Sequence, residues 1–209
     1  MVEGYLLYGS KGSGSLAVEA ALTLIGADFA TQDVPHGDLP ATTLLAQVPA
    51  LRLPSGEVMT ESLAILLWLA ETHPEAKLAP AVGDPVRAAF LHWMAYVSSA
   101  IYAHYWAMDF PDRVTSDEAA QAEVKAALEA RVDACWGVME AGIDPGDYLL
   151  GDTLSVLDLY VTVVSRWTVS RKALHGAIAP RLGAVVRRVE GDPRLASLWA
   201  SRFPLPVAM

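Results

Sequence analysis

A chain of 209 residues, of which 53% are hydrophobic, has enough apolar side chains for one domain or for two small ones. No apolar stretch approaches the ~20 residues of a membrane-spanning helix, and the first residues lack the pattern of a signal peptide, so we expect a cytoplasmic protein. The net charge of −9 argues against nucleic acid as a partner. The single cysteine, Cys135, excludes an internal disulfide framework and a CxxC motif for zinc or redox chemistry.

The first part of the chain alternates short strand patterns with helical patterns. The predicted elements, in chain order, are a strand over residues 5–8, a helix from Ser15 to Gly26, a strand over residues 29–34, two strands over residues 50–53 and 57–60, and a helix over residues 62–72. Residues 37–47 are ambiguous and fit an irregular helix. This order is similar to that of a thioredoxin-like domain, so we expect an α/β domain over residues 1–78.

Strand patterns end after residue 78, and residues 78–85, with their prolines and glycine, are the best candidate for a linker. Helices are predicted beyond it over residues 85–110, 115–141, 155–169, 179–190 and 193–201, with Pro85 opening the first and a Thr-x-x-Glu capping box at Thr115 opening the second. We therefore expect an all-α domain over residues 86–209.

Residues 151–159 carry a strong helix-start motif. Ser155 at the N-cap and Asp158 at the third helical position form a capping box, with Leu154 and Leu159 placed as a hydrophobic staple. Taken alone, this motif is structural and brings no chemistry.

Glu61 and Ser62 stand where the predicted hairpin meets the helix over residues 62–72. A helix amino terminus presents unpaired backbone N–H groups and about half a positive charge, which suits a carboxylate. Ser62 can cap the helix and Glu61 can accept from an ammonium, so the pair suits the head of a free α-amino acid. The structural alternative is a simple cap beside a favourable first-turn anion.

Two motifs of this chain resemble the glutathione transferases. Residues 48–65 resemble the family's Val-Pro-x-Leu, turn, strand, Glu-Ser-x-Ala-Ile signature, and residues 151–159 resemble the Gly-Asp-x-Leu-Ser-x-Ala-Asp-Leu box of its helical domain, with Leu157 where Ala is usual. The resemblance spans nearly the whole chain in the right order and points to a bacterial-like member. It implies a thioredoxin-like domain followed by an α-helical bundle, a homodimer, and glutathione as co-substrate without a metal.

The resemblance also implies which residues bind. The family holds the γ-glutamyl end of glutathione at the Glu-Ser pair, the cysteinyl backbone at a cis proline corner, and the electrophile on the first long helix of the helical domain. The implied residues are Glu61 and Ser62 for the γ-glutamyl end, Val48 and Pro49 for the cysteinyl backbone, Lys11 and His36 for the glycyl carboxylate, and Tyr102, Tyr105 and Trp106 for the electrophile.

The group that activates the thiol stays open between several hydroxyls. Family classes that use Tyr place it where this chain has Gly9, and the bacterial class that uses Cys places it where this chain has Gly14. Classes that use Ser place it near Ser13, which is the first choice, with Ser15 and Ser10 as alternates. The structural alternative is that these serines only cap the helix that follows.

The implied reaction is attack of the glutathione thiolate on a small hydrophobic electrophile. A second interpretation keeps the fold and changes the reaction to ether cleavage, dehalogenation or isomerisation. A third is a non-catalytic binding or regulatory module, which the missing Tyr and Cys favour. The retained Glu61 and Ser62 argue against this third interpretation, because a module that no longer binds glutathione has no need of the acidic residue Glu61.

Overall fold

The computed structural model describes residues 4–35 and 47–204, and its amino-terminal part is a four-stranded sheet with two helices. These elements are β1 (Tyr5–Gly9), α1 (Ser15–Ile25), β2 (Phe29–Asp33), β3 (Ala50–Arg52), β4 (Val58–Thr60) and α2 (Ser62–Thr72). The strand order is β2-β1-β3-β4, with β1 parallel to β2 and β3 antiparallel to both β1 and β4. The predicted thioredoxin-like fold is confirmed.

Alternation and turn chemistry explain these elements. Alternate residues of β1 are buried, as expected for a strand with one face on the core. Helix α1 ends where Gly26 adopts a left-handed conformation with φ of 73°, which a residue without Cβ reaches without strain. Gly56 has φ of 93° in the turn that joins β3 to β4. The predicted hairpin and both helix boundaries are confirmed.

The remaining described residues carry helices. Their bounds are α3 (Arg87–Tyr96), a π-helical turn (Val97–Tyr102), α4 (Ala103–Asp109), α5 (Glu118–Gly142), α6 (Val156–Ser165), α7 (Thr168–His175), α8 (Pro180–Glu190) and α9 (Ala196–Arg202). All residues of α6 are buried, and this helix packs against α1 as well as α3, α7 and α8. None of the described helices is both long and apolar enough to cross a membrane.

Several helix limits differ from the sequence prediction. The helix predicted over residues 155–169 ends at Ser165 and a separate helix, α7, follows, and the helix predicted from residue 193 begins at Ala196. The helix expected at Pro85 begins at Arg87, and a π-helical turn interrupts it before α4. The N-cap of α5 is Asp117, whose carboxylate accepts from the Ala119 backbone N–H at 2.9 Å, so the box predicted at Thr115 is wrong. An aspartate one residue before the helix is the better acceptor for the first free N–H groups. The domain limits at residues 78 and 86 stay a prediction.

The capping box of α6 is formed as predicted. One Asp158 carboxylate oxygen accepts from the Ser155 backbone N–H at 2.8 Å and from the Ser155 hydroxyl at 2.7 Å. Its other oxygen accepts from the Leu149 backbone N–H at 2.8 Å. Asp158 is 1% exposed, so the box ties the preceding loop to the most buried helix of the fold.

We expect Asp158→Ala to destabilise the protein more than Asp117→Ala. Losing an exposed helix cap such as that of Asp117 costs about 1 kcal/mol. Losing Asp158 leaves buried donors unpaired, and each such donor costs about 1–3 kcal/mol. Urea unfolding of both variants measures the difference. Equal losses would mean that the buried bonds of Asp158 add nothing beyond an ordinary cap.

Candidate functional site

Two adjoining cavities lie between the sheet domain and the helices. The first, here called the Glu61 cavity, has a volume of about 430 Å³ and is lined by the start of α2 and by Pro49 and Tyr160. The second, the serine-loop cavity, has a volume of about 310 Å³ and is lined by residues 10–14 and by Trp167. The residues shared by both linings are Gln47, Val48, Tyr102 and Trp106. A ligand can therefore extend from one cavity into the other.

A larger cavity of about 730 Å³ lies where the end of α2 meets residues 79–87 and 150–155. Its polar wall includes the Arg87–Glu71 ion pair, with the two groups 2.7 Å apart. It contains none of the predicted site residues. Since a functional site needs convergent polar groups and not volume alone, the two smaller cavities are the better candidate.

Glu61 is the N-cap residue of α2 and has a strained backbone, with φ of 67° and ψ of 107°. A non-glycine residue in this region is costly and persists where the surrounding structure imposes it, which is common at functional sites. Its carbonyl accepts from the Ile65 N–H at 3.0 Å, which fixes it to the first turn of α2. Its side chain is exposed and lines the Glu61 cavity.

Ser62 is the first residue of α2 and not its cap, so the predicted capping role is wrong. Ser62 is 6% exposed. Its hydroxyl lies 2.9 Å from the hydroxyl of Tyr160, a residue of α6. Two hydroxyls bonded to each other still have one proton and further lone pairs to offer a ligand. Burial raises the pKa of Tyr160, so this phenol stays protonated. Sequence reasoning missed Tyr160, because only the folded chain brings α6 to Ser62.

The Val48–Pro49 peptide bond is cis, as predicted. Pro49 is buried, whereas Val48 is partly exposed and lines both cavities. Val48 therefore lies where the two cavities join.

The three serines before α1 form one hydrogen-bonded cluster. The Ser13 hydroxyl donates to the Ser10 carbonyl at 2.8 Å and lies 2.8 Å from the Ser15 hydroxyl. Ser15 is fully buried and accepts from the Ser10 N–H at 3.2 Å. Ser10 and Ser13 line the serine-loop cavity, whereas Ser15 closes the turn from inside. The role of these hydroxyls toward a thiol stays a prediction.

The three aromatic residues predicted to line the electrophile pocket lie in different surroundings. Tyr105 points its hydroxyl into the core, 2.6 Å from the Ser170 hydroxyl. Trp106 is 41% exposed and lines both cavities. Tyr102 reaches the start of α1, where its hydroxyl lies against Gly14. Burial raises the pKa of Tyr102, as do the neighbouring Tyr160 and the charge of Glu61, although hydrogen bonding from the Gly14 N–H lowers it.

Among the residues that the structure describes, two cationic side chains line the serine-loop cavity. Lys11 is exposed at the rim of the serine-loop cavity, and His36 lies outside the described residues. Arg113, which sequence reasoning missed, also lines this cavity and places its guanidinium 4.2 Å from the Phe110 ring centroid. Over residues 4–35 and 47–204, no group of three or more His, Cys, Asp or Glu side chains could hold a metal ion.

Two protein-family models match this chain. Residues 15–72 match the model of the glutathione S-transferase N-terminal domain, and residues 102–202 match that of the C-terminal domain. The chain belongs to the glutathione S-transferase family.

Individual relatives agree with this membership. The uncharacterized GST-like protein YncG of Escherichia coli K12 is 30% identical over 170 residues, which cover 77% of this chain and 80% of that protein. Glutathione S-transferase GstA of Escherichia coli O157:H7 is 26% identical over 79% of this chain and 83% of its own. A sphingomonad glutathione S-transferase, solved in complex with glutathione, is 28% identical with a TM-score of 0.77, covering 94% of this chain and 98% of that one.

A pair of substitutions tests the backbone strain at Glu61. Both Glu61→Ala and Glu61→Gly remove the carboxylate, but only glycine adopts a positive φ without a Cβ clash. We expect Glu61→Gly to be more stable than Glu61→Ala by about 1 kcal/mol in urea unfolding. An alanine variant as stable as the glycine variant would show that the residue is unstrained in solution.

Proposed function

We propose that this glutathione S-transferase family member binds glutathione across the two cavities and directs its thiolate at a small hydrophobic electrophile. The observation that carries the proposal is the continuous path from the Glu61 carboxylate, past Val48, to the start of α1. An acid, the Val48 corner and a helix amino terminus follow one another along it. These are the partners required by an ammonium, a peptide backbone and a thiolate, in the order found in the tripeptide.

The γ-glutamyl end binds at the start of α2. Its ammonium pairs with the Glu61 carboxylate, and its carboxylate accepts from the first N–H groups of α2 and from the Ser62 hydroxyl, which Tyr160 already orients. The cysteinyl N–H and C=O pair with the Val48 backbone, as in β-strand addition. The glycyl carboxylate then extends toward the cation Lys11, with His36 as the second predicted partner.

The chemistry is thiolate substitution. A free thiol has a pKa of about 8.5, so only a few per cent is ionised at neutral pH and the protein must stabilise the anion. The thiol proton leaves to water, and the positive end of the α1 dipole faces the sulfur that remains. The sulfur lone pair forms a carbon–sulfur bond, and the leaving group departs with the electron pair of the broken bond.

The serine-loop cavity is the proposed place of the electrophile. Trp106 and Trp167 give it aromatic walls, and the Tyr105 ring packs 4.7 Å from that of Trp167. Such walls favour a flat or apolar substrate. Arg113 adds a positive charge near the Trp106 ring, which suits an electron-poor ring or a departing anion.

The proposal extends to the compartment, the oligomeric state and the domain organisation of the protein. We infer a cytoplasmic homodimer built from a glutathione-binding domain over residues 1–78 and a helical domain over residues 86–209. Ether cleavage, dehalogenation and isomerisation use the same thiolate and differ only in what fills the serine-loop cavity.

A conjugation assay separates an enzyme from a binding module. We expect the protein to be retained on immobilised glutathione and to convert an activated aryl halide, with one halide released per conjugate formed. Retention without turnover of aryl halides, alkyl halides, aryl ethers or unsaturated acceptors would instead identify a non-catalytic glutathione-binding protein.

Glu61→Gln tests the binding mode with little change of shape. Losing the charge of a paired hydrogen-bonded partner commonly costs ~1.5–3 kcal/mol, so the Kd for glutathione should rise at least tenfold. Isothermal calorimetry measures it directly. The matched control is Glu57→Gln, an exposed acid in the neighbouring hairpin that lines neither cavity and should leave the Kd unchanged. Equal affinities of the two variants would contradict the site.

A further inference from the structure

The Tyr102 side chain, from the helical part of the chain, packs against the start of α1. A Cβ atom built on Gly14 would lie 2.0 Å from the Tyr102 hydroxyl oxygen and 2.7 Å from the ring carbon that carries it. No side chain fits at position 14 while this ring is in place, because real contacts of that kind stay beyond about 3 Å. The Tyr102 hydroxyl therefore occupies the space that a side chain on the first residue before α1 would fill.

The ring of Tyr102 is held in this position from several sides. It packs against the Trp167 ring at 4.9 Å between centroids and against the Tyr160 ring at 6.0 Å. Tyr102 is also the last residue of the π-helical turn, which adds a residue to the helical repeat and so re-aims the side chains after it. Such turns are frequent at functional sites. A fixed donor costs no reorganisation when a charge forms beside it.

The same hydroxyl lies where the sulfur of glutathione would arrive. Tyr102 and Val48 both line both cavities. A tripeptide anchored at Glu61 and paired with Val48 carries its side chain to that junction. The sulfur then lies beside the Tyr102 hydroxyl and faces the serine-loop cavity, from which the electrophile approaches.

Tyr102 and Ser13 differ in whether the hydroxyl proton is available to a further acceptor. The Ser13 hydroxyl already donates its single proton to the Ser10 carbonyl at 2.8 Å. The Tyr102 hydroxyl lies against the Gly14 backbone, whose N–H can only donate, so the phenol proton stays available to another acceptor. Burial raises the pKa of Tyr102, so that proton is retained at neutral pH.

The charges around this hydroxyl make a donor necessary. Besides burial, Glu61 before α2 and Asp109 on α4 act to raise the pKa of Tyr102, because each carboxylate disfavours a further negative charge there. A thiolate at the same place experiences the same repulsion. It is stabilised only if hydrogen-bond donors outweigh the nearby acids.

We propose that the Tyr102 hydroxyl is the catalytic donor to the glutathione thiolate, in the place predicted for Ser13. The inference rests on the proposed function. The thiol proton leaves to water, the phenol keeps its own proton, and the O–H group donates to the sulfur anion until the carbon–sulfur bond forms. In this protein the thiolate is thus stabilised from the helical domain, with the Trp167 and Tyr160 rings holding the donor in place.

The test is the pKa of the bound thiol in Tyr102→Phe, followed by ultraviolet absorbance of the thiolate as the complex with glutathione is titrated. Loss of one hydrogen bond to a charged group should raise this pKa by about one to two units. The value of kcat/KM at neutral pH should then fall by about 10- to 100-fold and recover at alkaline pH. The Kd for glutathione should change little, because Glu61 and Val48 are untouched.

Two further variants make the outcome decisive. Tyr96→Phe deletes a hydroxyl on the same long helix, one that donates to the Cys135 carbonyl at 3.2 Å outside both cavities, and should leave the thiol pKa unchanged. Ser13→Ala deletes the alternative donor. A thiol pKa unchanged in Tyr102→Phe but raised in Ser13→Ala overturns the inference while the proposed function stands. Wild-type protein that binds no glutathione overturns both.

Discussion

The constraint on which the site depends is the absence of a side chain at Gly14. Because this position is bare, the hydroxyl end of Tyr102 can lie against the start of α1, where a Cβ would be 2.0 Å from its hydroxyl oxygen. Gly14 stands where the bacterial class of glutathione transferases that uses Cys has that cysteine. The same glycine that removes one catalytic side chain therefore admits another from a distant helix.

Other contacts hold the loop before α1 against the helices in the same way. The Trp167 ring nitrogen donates to the Gly12 carbonyl at 2.8 Å, and the Gly12 N–H donates to the Arg202 carbonyl at 3.0 Å. The Arg202 guanidinium in turn bonds Glu19 on α1 at 3.0 Å and Asp33 on β2 at 2.7 Å. Desolvation raises the pKa of Glu19, and the charge and hydrogen bond of Arg202 act to lower it. Arg202 therefore offsets part of the cost of burying the Glu19 carboxylate. The geometry of the site is consequently a property of both domains together.

The sequence predicted what depends on neighbouring residues and missed what depends on distant ones. Strand β1, helix α1 and the capping box at Ser155 follow from local patterns, and the cis Pro49 followed from the family resemblance. The bond between Ser62 and Tyr160 joins residues 98 positions apart, and no local pattern encodes it. The sequence predicts one uninterrupted helix over residues 85–110 and not the π-helical turn before Ala103, because the apolar spacing fits both. The family resemblance predicts Tyr102 as part of the electrophile pocket, and its approach to Gly14 is visible only in the fold.

The most direct test of this account is a crystal structure of the protein with glutathione bound. The account predicts the γ-glutamyl ammonium on the Glu61 carboxylate, the cysteinyl backbone on Val48, and the sulfur within hydrogen-bond distance of the Tyr102 hydroxyl. A sulfur bonded to Ser13 and out of reach of Tyr102, with the tripeptide otherwise in the same cavities, would contradict the central claim.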